Sequence, residues 1–174
     1  ILCFERHATS KITSIEDLET IHTLGFRGEA LASLASVSQI ELKTGLTDSD
    51  PAFRVKIDGG ELIESGPVAP TRGTSVAVRN LFFNVPARRN FLKRPQTELK
   101  HILDVIQVLA LSNPAVSFQL LHDGNELINV RGEGSNQFHV DLSNRVKALI
   151  PVTREDELIP LDESTSYLSV RGVL

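Results

Sequence analysis

The chain has 174 residues, of which 41% are hydrophobic and 23% charged, and its formal net charge is −4. This composition is ordinary for a globular domain and excludes disordered and collagen-like chains, and the negative net charge argues against a generic nucleic-acid binder. No apolar run approaches the roughly 20 residues that span a bilayer, and the N-terminus lacks a signal-peptide layout, so we predict a soluble intracellular protein without membrane contact.

The first part of the chain predicts two helices separated by a glycine-bounded turn. Ser14 and Asp17 have the spacing of a capping box, and apolar residues recur at helical spacing as far as Leu24, so we expect a short helix that Gly25 ends. Residues 29–38 are rich in helix formers and apolar on more than one side, which predicts a buried helix that starts at the turn.

An alternation of apolar and polar residues follows and predicts antiparallel strands. The predicted strands cover residues 40–43, 53–57, 61–63 and 74–83. A turn at Asp58-Gly59-Gly60 joins the second and third strands, and Pro86 interrupts the region after the fourth. The turn formers in residues 44–51 and 64–72 predict loops.

The second half of the chain predicts a long helix, a hairpin and a smaller region after them. Apolar residues recur at helical spacing over residues 98–111, opened by Thr97 and closed by Asn113-Pro114, so this helix must pack on a sheet. Residues 118–130 predict a hairpin with Asp123-Gly124-Asn125 at its turn. The polar stretch 131–136 predicts a linker, followed by a helix over residues 144–150 and a strand over residues 167–174.

The segment Gly25-Phe26-Arg27-Gly28-Glu29-Ala30-Leu31 has the features of an anion cradle. Glycine permits backbone conformations and close approaches that other residues do not, and the free N–H groups of the following helix point toward a ligand. Polyphosphate suits such a site, although by spacing alone a plain helix cap is the commoner explanation. We expect the Glu29 side chain to point away from the phosphates as a helix cap, because a carboxylate is favourable near a helix N-terminus.

Three sequence blocks together resemble one protein family. The first is Arg6-His7-Ala8-Thr9-Ser10-Lys11-Ile12, the second is GFRGEALASLASVS from Gly25, and the third is Gly73-Thr74 followed by NLFFNVPARR from Asn80 and by Phe91-Leu92-Lys93. In identity and order they resemble the MutL family of DNA mismatch-repair ATPases, over residues 6 to 93. Gyrase-like and Hsp90-like ATPases share the GHKL fold, but we expect them to lack the FRGEAL and PARR blocks.

The resemblance implies an α+β fold with two domains. Residues 1–134 would form the later portion of a GHKL ATP-binding domain, a two-layer α/β sandwich that is present in part. Residues 135–174 would begin a domain that resembles domain 2 of ribosomal protein S5. Because the chain starts at Ile1, contains no methionine and ends just after a predicted strand, we interpret it as a fragment.

The resemblance also assigns ligand contacts. Two hydroxyls and an ammonium group would lie at the end of the lid over ATP, the glycine segment would face the β- and γ-phosphates, and a threonine would lie beside adenine. The implied contacts are Thr9, Ser10, Lys11, Gly25, Phe26, Arg27, Gly28, Glu29, Ala30, Leu31 and Thr74. By residue type alone, the first three could equally belong to a solvated loop.

For the complete protein the resemblance implies ATP with Mg²⁺, a homo- or heterodimer that forms through the N-terminal region when ATP binds, and a mismatch-recognition partner of the MutS type. It implies repair at the nucleoid in the bacterial cytoplasm, or in the nucleus of a eukaryote. The family's water-activating glutamate and Mg²⁺-binding asparagine lie before the lid and are not in this sequence. We therefore expect no catalytic residue here and no ATP hydrolysis by this chain alone.

A dense group of cations predicts local contact with the DNA backbone. Residues 1–100 carry 13 basic and 12 acidic groups and residues 101–174 carry 5 and 10, so the charge is unevenly distributed. The predicted contacts are Arg88, Arg89, Lys93 and Arg94, which we name the basic cluster. A solvated face, with Phe91 and Leu92 packed inward, is the alternative.

Other function classes remain open or are excluded. The chain could be a DNA-binding module or a protein-interaction module without nucleotide binding. It has no GxxxxGK[ST] motif, which excludes a P-loop NTPase. Cys3 and His7 have helical spacing, but without a second pair we expect no metal site, and the single cysteine excludes an internal disulfide.

Overall fold

The computed structural model describes residues 1–12, 14, 16–17, 21, 24–132, 134–135, 137–151 and 158–174. The chain divides into two compact units, Ile1–Leu92 and Lys93–Leu174. The first unit contains a 3₁₀ helix (Leu2–Phe4), α1 (Ala30–Ala35), β1 (Gln39–Gly45), β2 (Ala52–Asp58), β3 (Glu61–Val68), β4 (Gly73–Arg79) and α2 (Pro86–Arg89). The second contains α3 (Pro95–Ser112), β5 (Phe118–His122), β6 (Asn125–Val130), α4 (Phe138–Leu149), β7 (Pro160–Ser164) and β8 (Ser169–Val173). Among these described helices, none has the length and apolar character needed to cross a membrane.

The first unit is an antiparallel sheet whose two central strands, β1 and β2, are covered on one face. The strand order is β3-β2-β1-β4, and each neighbouring pair runs antiparallel. Period-two alternation places Ile40 of β1 with Val55 and Ile57 of β2 on one face, where they are buried. Ala35 of α1 and Phe4 of the 3₁₀ helix pack against them, which gives the two layers predicted from the sequence.

Two strands end at different places from those predicted. β3 continues through the predicted loop as far as Val68, because this edge strand pairs with β2 even at Pro67, whose missing N–H is tolerated at an edge. β4 ends at Arg79 rather than at residue 83, because Asn80 and Phe82 have positive φ values of 51° and 63°. The Phe82 N–H donates to the carbonyl of Val37 at 2.7 Å, so a tertiary contact ends the strand.

The helix predicted over residues 29–38 is confirmed as α1 but is only six residues long. The preceding predicted helix falls largely outside the described residues. Within the described part, the Ser14 N–H donates to Oδ2 of Asp17 at 3.0 Å, which is half of the predicted capping box.

In the second unit, α3 packs on the hairpin of β5 and β6. Leu103, Ile106 and Ala110 of the helix pack with Ile128 and Val130, which confirms that this helix lies on a sheet. The predicted hairpin is also confirmed, and its turn has positive φ values of 49° at Asp123 and 79° at Gly124. These values are typical of a type I′ turn, whose twist matches that of the strands.

The start of α3 lies earlier than predicted. The N-cap is Arg94 rather than Thr97, and Pro95 occupies the first helical turn, where its missing N–H needs no partner. The fixed φ of proline therefore sets the boundary, which the apolar periodicity alone did not show.

Helix α4 is fastened to the preceding elements of the second unit by one arginine. It begins at Phe138, six residues before the predicted helix, and Arg145 within it is only 2% exposed. The Arg145 guanidinium donates to the carbonyl oxygens of Ala110, Pro114, Val116 and Arg131 at 2.8–3.2 Å. The predicted domain boundary between residues 134 and 135 stays a prediction.

Candidate functional site

A cavity of about 530 Å³ lies in the first unit between the N-terminal segment, the glycine loop and the start of α1. Its lining residues are Cys3, Ala8, Thr9, Ser10, Lys11, Leu24, Gly25, Phe26, Arg27, Gly28, Glu29, Ala30 and Leu31. Every predicted nucleotide contact except Thr74 is among them. The fold thus brings together two sequence blocks that are separated along the chain.

Two side-chain contacts join the lid segment, residues 7–11, to the glycine loop. The Lys11 ammonium donates to the carbonyl oxygen of Leu24 at 2.6 Å, and Nδ1 of His7 lies 3.1 Å from Oε1 of Glu29. Both contacts are exposed, so each contributes little energy, and they lie at the two ends of the segment.

Gly28 allows the lid segment to approach the loop closely. A Cβ atom at Gly28 would lie 2.3 Å from the carbonyl oxygen of Ala8, closer than any real contact, and Gly28 has a φ of +63°. Gly25 also has a positive φ, +69°, but a Cβ atom there would meet nothing within 4 Å. Gly28 is therefore required by both conformation and space, whereas Gly25 is required by conformation alone.

The side chains of Phe26, Arg27 and Glu29 have separate roles in the loop. The Arg27 guanidinium lies 5.6 Å from the ring centre of the half-buried Phe26, a cation–π contact that leaves the charge exposed. Glu29 is the N-cap residue of α1, but its side chain makes no capping hydrogen bond. The prediction of a Glu29 side-chain cap is wrong, because the carboxylate contacts His7 of the lid segment instead.

The lining suits a small anion. Lys11 and Arg27 supply positive charge, and Thr9 and Ser10 supply hydroxyl groups that can donate to oxygen. The Thr9 hydroxyl oxygen accepts from the backbone N–H of Lys11 at 3.2 Å, which orients this hydroxyl. Glu29 is the one carboxylate among the lining residues, and His7 holds it at the rim.

Thr74 does not line this cavity. It lies at the start of β4, where its hydroxyl is 2.8 Å from that of Thr44, and it lines a second cavity of about 390 Å³. Its predicted contact beside adenine stays a prediction.

All four residues of the basic cluster are exposed. Arg88 and Arg89 are in α2 of the first unit, and Lys93 and Arg94 open the second. None of the four side chains forms an ion pair with another described residue. Phe91 is 79% exposed, so in this structure it does not pack inward.

Metal ligation finds no support among the described residues. No group of three or more His, Cys, Asp or Glu side chains within that part of the chain could hold a metal ion. Cys3 is exposed and lines the first cavity, while His7 contacts Glu29.

The chain is 46% identical over 172 residues to the DNA mismatch repair protein MutL of Prosthecochloris aestuarii, an alignment that covers 99% of this chain. This chain belongs to the MutL family of DNA mismatch-repair proteins. MutL of Flavobacterium johnsoniae is 40% identical over 171 residues. The chain spans about a quarter of the length of these relatives, 26% in both cases. No family model matches the chain.

Solved structures agree with this assignment. The Aquifex aeolicus MutL ATPase domain complexed with ADP matches with a TM-score of 0.66 and 30% identity, over 87% of this chain and 56% of that chain. The N-terminal domain of a DNA repair protein also matches, with a TM-score of 0.66 and 25% identity, over 88% of this chain and 49% of that one. The predicted α+β fold of the GHKL ATPase type is therefore confirmed.

Sequence reasoning missed three residues that line the first cavity, Cys3, Ala8 and Leu24. It also missed the contact between His7, which lies outside the lining, and Glu29. For Ala8 the sequence carries one signal, a small side chain, which permits the close backbone approach at Gly28. The Leu24 contact uses a backbone carbonyl, which residue type does not reveal.

Proposed function

We propose that this chain supplies the lid end and the phosphate loop of an ATP site in a MutL-type mismatch-repair protein. The observation that carries the proposal is the single cavity that residues 9–11 and 25–31 line together. Its cations and hydroxyls match phosphate oxygens, and the related Aquifex aeolicus MutL ATPase domain was solved with ADP bound. ATP binding then acts as a switch that links mismatch recognition to later repair steps.

The roles within the site follow from its geometry. The backbone around Gly28 approaches the lid segment closely, so phosphate oxygens would be held between that loop and the Lys11 ammonium. Lys11 would exchange its contact with the Leu24 carbonyl for a hydrogen bond to phosphate, in which both the donor and the acceptor are charged. Thr9 and Ser10 would add hydroxyl donors.

Within the described part of the chain, the lining residues do not supply a set of ligands for Mg²⁺. A magnesium ion prefers several oxygen ligands, and the one carboxylate of the lining, Glu29, is engaged by His7. We propose that the ion binds the triphosphate through residues outside this chain, as the family resemblance implies.

The partners and location follow from family membership and belong to the same proposal. The complete protein would form a homo- or heterodimer when ATP binds, would contact a mismatch-recognition protein of the MutS type, and would bind the DNA backbone without sequence preference. It would work at the bacterial nucleoid or in the nucleus. The exposed, unpaired side chains of the basic cluster favour DNA contact as a second function of this chain.

Calorimetric titration tests the nucleotide site. A non-hydrolysable ATP analogue with Mg²⁺ is titrated into this chain and into a longer chain that carries the preceding family segment, because the resemblance places further contacts there. We expect Lys11→Met to weaken binding by the longer chain about tenfold, the worth of one charge-assisted hydrogen bond, while Lys147→Met leaves it unchanged. Equal affinities for the Lys11→Met and unaltered chains, or no binding by the longer chain, would contradict the proposal.

A further inference from the structure

The second cavity of the first unit is strongly cationic. It lies where β1 and β3 end and β2 and β4 begin, and its volume is about 390 Å³. Its polar lining comes from Lys43, Arg54, Arg72, Thr71, Thr74 and Ser75. Three cationic and three hydroxyl-bearing residues therefore line one recess, although the Thr74 hydroxyl contacts that of Thr44, and none of its described lining residues is a carboxylate.

Strand register places two of these cations directly opposite each other. Lys43 of β1 pairs with Arg54 of β2 on one side and with Ser75 of β4 on the other, so all three share one face of the sheet. Like charges directly opposite in a sheet are destabilising. An anion bound in the recess would reduce the repulsion between Lys43 and Arg54 and would therefore stabilise this arrangement.

Nearby carboxylates only partly compensate these charges. Nζ of Lys43 lies 3.0 Å from Oε1 of Glu41, and Arg54 forms an ion pair with Glu64. Both carboxylates lie outside the cavity lining. Arg72 is exposed and forms no ion pair with any described residue, so the recess keeps an uncompensated positive charge.

The loop that carries Arg72 is held in place by a close backbone approach. A Cβ atom at Gly45, the last residue of β1, would lie 2.1 Å from the carbonyl oxygen of Thr71. Gly73, which follows Arg72, has a φ of +94° that favours glycine. The lining is thus preorganised by the backbone, and preorganisation lowers the entropy lost on binding.

We propose that this second cavity binds a phosphate group. Arginine and lysine with hydroxyl donors are the usual set for phosphate oxygens, since guanidinium can bind them in a bidentate manner. The phosphate could belong to a free phosphorylated molecule or to a nucleic-acid backbone, and a recess in the range of roughly 300–1,000 Å³ suits the free molecule better. The three cations of this recess are absent from the lining of the first cavity, and of the predicted ATP contacts only Thr74 lies here.

Titration of pyrophosphate into the ¹⁵N-labelled chain, at constant ionic strength, tests the site by amide chemical shifts. We expect saturable shifts at residues 71–75, at Lys43 and at Arg54. Arg72→Gln should weaken binding about tenfold, because it removes a charge-assisted hydrogen bond. The control is Arg79→Gln, at the opposite end of β4, which should change the affinity less than about twofold.

The outcomes separate the possible sources. Tighter binding of pyrophosphate than of a short DNA duplex at these amides indicates a free phosphorylated ligand, whereas tighter binding of the duplex indicates a nucleic-acid backbone, and either supports the site. Shifts that do not saturate, or equal weakening by Arg72→Gln and Arg79→Gln, would overturn it.

Lys43→Gln is a second variant, and unchanged amide signals in the remaining strands show that each variant folds. Lys11→Met should leave these shifts unaltered, which separates this test from that of the ATP site.

Discussion

At the scale of single residues, the two glycines of the glycine loop differ in why a side chain is excluded there. Gly25 and Gly28 both have a φ near +65°, which disfavours any residue with a side chain. Only Gly28 also has a neighbouring backbone, that of Ala8, in the space that a Cβ atom would take. The sequence shows two equivalent glycines, and the structure distinguishes them.

Alanine substitutions should therefore have unequal effects. Gly25→Ala should lower the free energy of unfolding by about 1 kcal/mol, from backbone strain alone. Gly28→Ala should cost more, and it should displace the lid segment, because Ala8 must move away from the new Cβ atom. Urea denaturation measures the first effect, and amide chemical shifts at residues 8–11 measure the second. Similar shifts in the two variants would contradict the proposed role of Gly28.

Arg145 connects helix α4 to the preceding segments of the second unit by hydrogen bonds. Its guanidinium donates to four backbone carbonyls that lie in α3, after α3, before β5 and after β6. A buried carbonyl oxygen without a hydrogen-bond donor is costly. The Arg145 side chain supplies donors to such carbonyls in three separate segments of the chain.

Replacement of this arginine should destabilise the second unit strongly. We expect Arg145→Met to lower the free energy of unfolding by about 3 kcal/mol, because it removes several hydrogen bonds and leaves buried acceptors unpaired. Lys147→Met on the same helix is exposed and should change it by less than about 0.5 kcal/mol. Chemical denaturation followed by circular dichroism compares the two. Equal losses would show that Arg145 is not the anchor.

At the scale of elements, ion pairs on the polar face of the sheet make the stability of the first unit depend on pH. A hydrogen bond from Lys43 is the main cause that lowers the pKa of Glu41, and hydrogen bonds from Lys56 and then Arg54 lower the pKa of Glu64. The unfolded chain has ordinary carboxyl pKa values of about 4.3, so near that pH it binds more protons than the folded chain. This contribution to stability is fully present above the unfolded pKa and is lost as the pH falls through the lowered folded values.

Acid titration of stability tests this linkage. Between about pH 5 and pH 3, the unaltered chain should lose stability more steeply than Glu64→Gln, which cannot titrate at that position. Glu61→Gln, on the same strand, serves as the matched control and should follow the unaltered chain. Urea midpoints measured across the range give the slopes. A Glu64→Gln slope equal to that of the unaltered chain would contradict the assignment.

The strands of the first sheet also show the limit of prediction from sequence patterns. Alternation predicted all four strands of the first sheet, and in β1 and β2 a buried face accounts for this period of two. It did not predict that β3 continues through Gly66-Pro67, or that β4 stops at Arg79. Both ends depend on long-range pairing, with β2 in one case and with Val37 in the other, and local composition carries no information about distant partners.

At the scale of the whole molecule, the distribution of charge does not favour a broad DNA-binding surface. The net charge is −4, and the basic cluster is the dense exception. Phosphate contacts depend on local positive charge and on the release of counterions, so a small cluster can bind DNA even on an acidic chain.

Charge reversal within the cluster should therefore abolish most duplex binding. Arg88→Glu/Arg89→Glu should weaken the affinity and reduce the slope of log affinity against log salt by about 2, since each lost phosphate contact contributes roughly 0.9. Arg131→Glu/Lys147→Glu changes the net charge equally at other exposed positions and should retain the slope. Fluorescence anisotropy with a labelled duplex at several salt concentrations compares them. Equal losses in both variants would assign the effect to net charge rather than to the cluster.

The sequence by itself determined the family, the α+β class, the hairpin of β5 and β6, and the lining residues of the first cavity other than Cys3, Ala8 and Leu24. These follow from local features: residue identity within short blocks, period two in strands, and turn residues with positive φ. The tertiary structure alone decided that residues 9–11 and 25–31 line one cavity, that Gly28 rather than Gly25 contacts Ala8, and that a separate cationic cavity forms at the end of the sheet. Such contacts join residues far apart in the chain, and their geometry is set by strand register and close backbone packing, which no local pattern encodes.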